Sequence, residues 1–457
     1  MKLRFIIALI LAKLSKPLLK ITGHNGTDFP GKLALKICPD FLKYVAKPET
    51  IIAVTGTNGK TTVSNMTVDL LERSGKKVLN NRAGSNINSG ISTALLNGVT
   101  LFNRAKYDTA VLEVDERSAK RIYPYVKPKI IAITNLFRDS IMRNAHPQYI
   151  ADFLTANIPP DTKLVLNADD LISSRVAPNN ARAYFGIEKM ETDVTECHNR
   201  LSDIRICPEC SHELRYEYLR YHHIGKAYCP ACGFKAPGYD YAGADVSLEN
   251  MTMRVKDKNG EGEYRLISDS IFNVYNMVTV ISIARELGMS HKEIAKIMDG
   301  MEVVATRYGS EKVGNVTLTN QMAKGLNALA SSRAFDYVSH REGEKELFMM
   351  MSCMTDERHW SENTSWLYDC DFEFLNTPEI THIIATGPRA IDYKLRLVLA
   401  GVDEEKIDCI EDAEKAAESL RFVDGSTVYM FYAADQLDYV FKVREKIKAL
   451  AKEAAQK

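Results

Sequence analysis

The residues able to do chemistry fall in two short stretches. "VTGTNGKTT" (Val54 to Thr62) carries two glycines, a lysine and two adjacent threonines. Gly56 and Gly59 let the backbone turn tightly and bring N–H groups to phosphate oxygens. Lys60 is long enough to reach terminal phosphates, and the Thr61 hydroxyl suits Mg²⁺. Only Thr57 and Asn58 separate Gly56 from Gly59, so this is a shortened form of the G-x-x-x-x-G-K-[ST] phosphate loop. The second stretch holds "CPEC" (Cys207, Cys210) and "CPAC" (Cys229, Cys232). Two C-x-x-C pairs at this spacing point to zinc. Four thiolates close its tetrahedron and leave no position for substrate, so the metal is expected to be structural. His222 and His223 lie between the pairs and read as surface residues, because the cysteines already satisfy the metal.

These residues need elements to hold them. "IIAVTG" (Ile51 to Gly56) reads as a buried strand, and "TTVSNMTVDLLERSG" after it as a helix stopping at Gly75. That strand–loop–helix context, with the helix N-terminus facing the loop, is what makes the glycine string a nucleotide-site signal. "TAVLEVDE" (Thr109 to Glu116), "KIIAITN" (Lys129 to Asn135) and "KLVLNADD" (Lys163 to Asp170) are further strands with polar ends. In a parallel α/β sheet, ligands sit at the carboxyl ends of strands. Glu113 is therefore the first choice for a further metal contact, with Asp115 and Glu116 as alternatives. A helix is expected from about Asn273 to Leu287. A second α/β unit follows Val313, with strands at "LFMMMSC", "HIIATG" and "TVYMFYA" and helices at Arg389 to Gly401 and at the end of the chain.

The fold expected is α/β, with a phosphate-loop domain over residues 49–312, a zinc-bearing insertion at about 199–237, and a C-terminal α/β domain over 313–457. Residues 1–48 form an N-terminal helical segment. There Phe5 to Ala12 is too short an apolar run to span a bilayer, and Pro17 is expected to kink or end the helix. A helix packed on the body is the plain reading. A peripheral helix lying on a membrane face, with Lys13, Lys16 and Lys20 near headgroups, is the alternative. The 59 basic and 59 acidic side chains balance, which argues against a nucleic-acid partner. The cysteines outside the two pairs are scattered, which argues for a reducing, cytoplasmic compartment.

The loop "TGTNGKTT", followed in order by "ITNLFRD", "LNADD" and "FNVYN", resembles the Mur ligases and folylpolyglutamate synthase. One subgroup, MurT, is matched further by "GTDFPG" (Gly26 to Gly31), the zinc insertion, "TSWLYDCDFE" (Thr364 to Glu373) and "ATGPRA" (Ala385 to Ala390). This resemblance implies a Mur-type central domain that binds ATP through Gly56, Thr57, Asn58, Gly59, Lys60, Thr61 and Thr62, with Asn273 and Asn276 near the adenine. It implies Asp139 near the metal and acyl acceptor, and Arg307 approaching the phosphates. The implied reaction is ATP-dependent amidation of the α-carboxyl of D-glutamate in lipid II. Ammonia would come from a GatD-like glutaminase subunit in a heterodimer, at the inner face of the membrane. A Mur-type amino acid ligase and a paralogue that has lost catalysis are the alternatives.

The sequence departs from that subgroup in places. The family's aspartate before "TSW", which completes the partner's catalytic triad, is replaced by Asn363; Asp356 is the nearest upstream aspartate and His359 the nearest imidazole. Ser270 and Ile271 stand where a glycine usually precedes "FN". Met142 replaces the second aspartate after Asp139, and the following motif reads Arg143, Asn144, Ala145.

Overall fold

The computed structural model describes residues 2–21, 26–138, 146–301, 309–323, 327–351, 363–433 and 437–456. The chain divides into two compact units, the first made of Met1–Phe137, His146–His198 and Ser202–Val303, the second of Val304–Lys457 with the short segments Arg138–Ala145 and Asn199–Leu201.

The first unit is built on a nine-stranded sheet. Its strands are β1 (Thr50–Thr55), β2 (Val78–Asn80), β3 (Thr109–Glu113), β4 (Ile130–Ile133), β5 (Lys163–Asn167) and β6 (Arg182–Ile187), then β9 (Tyr241–Ser247), β10 (Thr252–Asp257) and β11 (Gly260–Arg265). Between β6 and β9 a separate ribbon pairs β7 (Arg215–Tyr221) with β8 (Ile224–Tyr228). The sheet order is β11-β10-β9-β6-β5-β4-β1-β3-β2, parallel from β2 to β9 and antiparallel at β9-β10-β11. Ile51, Ile52, Ala53 and Val54 of β1 are all buried, as a central parallel strand covered on both faces requires. The chain winds from β1 out to β2 and β3 on one side, then returns to β4 on the other. The carboxyl end of β1 is thus a topological switch point, where side connections diverge and leave a crevice.

Three helices precede the sheet: α1 (Lys2–Ile21), α2 (Phe29–Ile37) and α3 (Phe41–Tyr44). Of the two outcomes expected at Pro17, a kink or an end, the second does not occur: α1 continues through it to Ile21. Proline removes a single helical hydrogen bond. Around that turn the helix is tied down from outside, by Lys13 Nζ on the Leu96 and Val99 carbonyls (2.7 and 2.8 Å) and Lys16 Nζ on Asn97 Oδ1 (3.1 Å). The "GTDFPG" stretch also has a packing role. Asp28 accepts from Ser85 Oγ at 3.1 Å and Ser89 Oγ at 2.5 Å and pairs with Lys32 at 2.8 Å. Gly31 lies so close to α5 (Asn88–Asn97), which follows α4 (Lys60–Arg73), that its N–H meets Thr93 Oγ1 at 2.8 Å. A Cβ on Gly31 would collide with the Ser89 carbonyl oxygen.

The second unit holds a six-stranded sheet: β12 (Ser310–Val313), β13 (Val316–Met322), β14 (Lys345–Met350), β15 (Ile380–Thr386), β16 (Ile407–Ile410) and β17 (Thr427–Tyr432). The order is β12-β13-β17-β14-β15-β16, parallel except at the β12-β13 hairpin. The "TSWLYDCDFE" stretch is part of its core. Trp366 and Phe372 are buried, and the Phe372 ring lies 4.9 Å from Phe335. The buried Arg396 donates from Nε to the Leu367 carbonyl at 3.0 Å and from Nη2 to the Cys370 carbonyl and to Glu373, both at 2.8 Å.

Gly31→Ala should lower stability by about 2 kcal/mol, because the backbone of α5 must move to admit one methyl. Thermal unfolding checks this against Gly238→Ala, which meets nothing within 4 Å and should melt like the parent.

Candidate active site

The glycine loop leaves β1 at the switch point. The parallel partner β4 and the residues after it brace it almost atom by atom. Thr57 N–H donates to the Asn135 carbonyl at 2.8 Å, and Asn58 N–H to Asn135 Oδ1 at 3.1 Å. Thr134 Oγ1 donates to the Asn58 carbonyl at 2.6 Å. Thr57 Oγ1 accepts from Phe137 N–H at 2.9 Å. Gly56 and Gly59 both have positive φ, 125° and 85°. A Cβ on Gly56 would strike Thr134 Oγ1, and one on Gly59 would strike Asn276 Oδ1. A loop this short has little slack, and only glycine fits either position. Gly59 caps α4, whose first turn presents Lys60, Thr61 and Thr62. Among the described residues Asn58 Nδ2 is buried and meets no acceptor, a donor left over for a ligand.

The lysine is held by a carboxylate. Lys60 Nζ lies 2.9 Å from Glu116 Oε1 and also donates to the Gly56 carbonyl. The same Glu116 oxygen accepts Gly56 N–H at 3.1 Å. Burial opposes the ammonium charge, but Glu116, with Glu113 and Asp115 behind it, outweighs that and raises the Lys60 pKa above its ordinary value. Glu113 ends β3 in register with Val54, and Asn86 Nδ2 donates to its carboxylate at 2.9 Å. Asp115 caps the turn Glu116–Ser118 by accepting from Arg117 N–H at 3.1 Å. The structure therefore separates three carboxylates that are close in sequence: Glu116 buried on the lysine, Glu113 and Asp115 partly exposed. Asn276 reaches Gly59 from the helix Ile271–Glu286, and its Nδ2 donates to Asn273 Oδ1 at 3.2 Å. Asp139, Arg307, Asp356 and His359 lie outside the described residues.

The four cysteines converge. The sulfurs of Cys207, Cys210, Cys229 and Cys232 all lie within 4.8 Å of one another, with Cys207–Cys232 at 3.6 Å and Cys210–Cys229 at 3.5 Å. Sulfurs at about 2.3 Å from a tetrahedral zinc stand roughly 3.8 Å apart, so the four fit that ion. Burial raises the Cys229 thiol, but backbone hydrogen bonds from Cys232 and Ala231 and the neighbouring sulfurs outweigh it and bring it down to about 6. Cys210 and Cys232 move the other way: backbone N–H groups of His212 and Phe234 pull them down, but the neighbouring sulfurs raise them.

The hairpin β7–β8 carries the four cysteines near its open end. Its tip corrects the expectation for the two histidines. His222 and His223 are buried, at 6% and 1% exposure. Phe137, the residue bonded to Thr57, packs its ring 4.4 Å from His223 and 5.9 Å from His222. His223 Nε2 lies 3.1 Å from Asp170 Oδ1, and Asp170 Oδ2 accepts Leu136 N–H at 2.7 Å. The aspartate makes burial of an imidazole tolerable, and local spacing carries no sign of that long-range partner. One residue before the tip, Tyr221 meets Phe272 at 4.5 Å. Arg220 bonds Asp169 Oδ2 at 3.1 Å and the Tyr275 hydroxyl at 2.6 Å, and its Nε pairs with Asp193 at 3.2 Å. Burial works against the guanidinium charge, and Tyr275, Asp169 and Asp193 outweigh it. Phe272 and Tyr275 belong to the helix that carries Asn273 and Asn276. The tip of the zinc hairpin thus lies directly behind the glycine loop.

Sequence reasoning did not find Glu116 as the lysine's partner, nor the supporting roles of Thr134, Asn135, Phe137, Asp169, Asp170 and Arg220. The polar residues closing "KIIAITN" and "KLVLNADD" were the available signal.

Residues 54–225 match the Mur ligase middle domain family, and residues 326–434 match the MurT ligase C-terminal family. The chain is similar to the lipid II isoglutaminyl synthase (glutamine-hydrolyzing) subunit MurT of Staphylococcus aureus (strain COL), 31% identical over 92% of this chain and 93% of that protein. The protein of the same name from Streptococcus pneumoniae (strain ATCC BAA-255 / R6) is 29% identical, over 94% of each chain. Among solved structures, a pseudomurein peptide ligase type C from Methanothermus fervidus superposes with a TM-score of 0.66 at 24% identity, over 90% of this chain and 81% of that one, a likeness of fold.

Substituting Cys207→Ser with Cys210→Ser should abolish binding of about one zinc per chain. Because the hairpin tip backs the loop, the same variant should bind ATP about tenfold more weakly. Metal analysis and nucleotide titration read the two effects separately. Zinc loss with unaltered ATP affinity would uncouple the hairpin from the loop.

Proposed function

Because the chain belongs to the MurT family of Mur ligase-fold synthetases, we propose that it activates the α-carboxyl of D-glutamate in the lipid II stem peptide and converts it to the amide of D-isoglutamine. The observation that carries this reading is that both halves of the chain match together. A Mur-type middle domain alone fits any amino acid ligase of that fold, whereas residues 326–434 match the C-terminal family of MurT itself.

A carboxylate is a poor acylating agent until it has a better leaving group than oxide. In the proposed reaction a carboxylate oxygen attacks the γ-phosphorus of ATP, and ADP leaves. Ammonia then attacks the acyl carbon of the resulting acyl phosphate. Inorganic phosphate leaves, and the amide nitrogen loses a proton. The chain's task is positioning and charge neutralisation. Lys60 is the fixed cation for the β- and γ-phosphate oxygens, and the loop N–H groups and the start of α4 supply the remaining positive field. Mg²⁺, when bound, neutralises phosphate oxygens; the Thr61 hydroxyl and the Glu113 carboxylate are the groups that would hold it. Asn273 and Asn276 are assigned to the adenine. From their motifs, Asp139 is assigned to the metal and acceptor region and Arg307 to the phosphates. Zinc has no part in the chemistry and holds the hairpin.

The ammonia source is proposed to be a glutaminase subunit of the GatD type, bound as a heterodimer. A lipid-linked acceptor places the work in the cytoplasm, at the inner face of the membrane. Asp356 is proposed as the carboxylate that replaces the family's aspartate before "TSW" in orienting the partner's histidine.

Lys60→Ala should lower acceptor-dependent ADP release at least about 100-fold, measured with lipid-linked acceptor, ammonium chloride and Mg²⁺. Turnover within a few-fold of the parent would remove the loop from catalysis. For Asp356, the assay is glutamine hydrolysis by the assembled complex. Asp356→Asn should depress it at least about tenfold while ammonium-driven amidation persists. Unchanged glutamine hydrolysis would take Asp356 out of the partner's site.

A further inference from the structure

We propose that the outward face of α1, with the adjoining turn at Leu101 and Phe102, is a docking surface for an anionic lipid bilayer. The helix is apolar on two sides. One side is used: Phe5, Ala8, Leu9 and Ala12 are buried, and the Phe5 ring lies 5.4 Å from Phe41 and 5.8 Å from Tyr44. The other side is bare. Leu3, Ile6, Ile10, Leu14 and Leu18, spaced by three or four residues, are 42% to 70% exposed and form one stripe along the helix. A contiguous aliphatic stripe of this length on a water-facing helix marks an interaction surface.

A second apolar feature stands beside it. Val99, whose carbonyl accepts from Lys13, opens a tight turn closed by Ala105. Its tip presents Leu101 at 63% and Phe102 at 87% exposure. Asn103 fixes the tip, with left-handed φ of 58°, its Oδ1 accepting Ala46 N–H and its Nδ2 donating to the Tyr44 carbonyl, both at 2.8 Å. The tip is therefore held out from the surface by its own backbone geometry.

Charge selects the occupant. The α1 segment contains Lys2, Arg4, Lys13, Lys16 and Lys20 and no aspartate or glutamate. Arg104 and Lys106, both exposed, flank the tip, and Lys106 Nζ reaches the Asn97 carbonyl beside Lys16. A second copy of this face would set these cations against each other. Aliphatic side chains with a cationic border suit the headgroup boundary of an anionic leaflet. No described helix is long and apolar enough to cross a membrane, so α1 would lie in the plane of the surface. Docking here does not depend on the amidation reading, since a chain inert towards ATP would still bind lipid.

The test is flotation of the full chain with vesicles of phosphatidylglycerol and phosphatidylcholine, compared with vesicles of phosphatidylcholine alone. The chain should float with the anionic vesicles, and less so as salt rises. The triple variant Ile6→Glu, Ile10→Glu, Leu14→Glu should lose about tenfold or more in partitioning while keeping the parent's zinc content and melting temperature. Phe102→Glu, which leaves α1 untouched, should weaken binding independently. The proposal is overturned if the parent stays in solution, if the folded triple variant floats as well as the parent, or if both vesicle types bind equally. It is equally overturned if the triple variant abolishes self-association or glutaminase binding with no change in flotation, since the face would then belong to a protein.

Discussion

The first unit's site depends on one largely buried ion pair, Lys60 with Glu116. An ammonium at the mouth of a short glycine loop, poorly reached by water, is costly unless an anion lies against it. Glu116 supplies that anion, and its same oxygen takes Gly56 N–H. One carboxylate therefore sets both the lysine's position and the loop's backbone. Thr134, Asn135 and Phe137 complete the bracing from the carboxyl end of β4. Shortening the loop by two residues relative to the usual pattern is tolerable because the neighbouring parallel strand, and not the loop itself, holds its shape.

The zinc hairpin extends the same logic outward. Four cysteines whose spacing fits a structural metal gather at the end of a small ribbon that has little apolar core of its own. The opposite end inserts two imidazoles and Tyr221 against Phe137 and Phe272. Arg220, Asp169 and Tyr275 then join the ribbon to the sheet and to the helix Ile271–Glu286 through a charged network that is buried and closely bonded. The insertion is thus a buttress for the nucleotide loop and not an appendage.

The motifs shared with MurT sort by physical role. "GTDFPG" and "TSWLYDCDFE" act as packing elements: Gly31 for a close helix approach, Trp366 and Phe372 for a core, Glu373 for a buried arginine. "TGTNGKTT" instead forms the braced glycine loop that holds Lys60 against Glu116. A family signature is therefore evidence of kinship before it is evidence of a site, and only the geometry around each residue tells which it is.

The sequence by itself determined the features carried by short-range spacing. The strand–glycine loop–helix order, the four cysteines in two pairs, and the α/β alternation around Ile51, Ile131 and Leu347 are all local patterns of burial or backbone geometry. Tertiary structure alone decided which of three neighbouring carboxylates meets Lys60, because the turn after Glu113 rotates Glu116 inward and leaves Asp115 out. It alone buried His222 and His223, since Asp170, the partner of His223, is 53 residues away in the chain. It alone carried α1 through Pro17, by tying Lys13 and Lys16 to carbonyl and amide oxygens more than 80 residues on. Spacing reports what a residue shares with its near neighbours, whereas the charge or hydrogen bond that fixes a buried polar group comes from wherever the fold brings a partner.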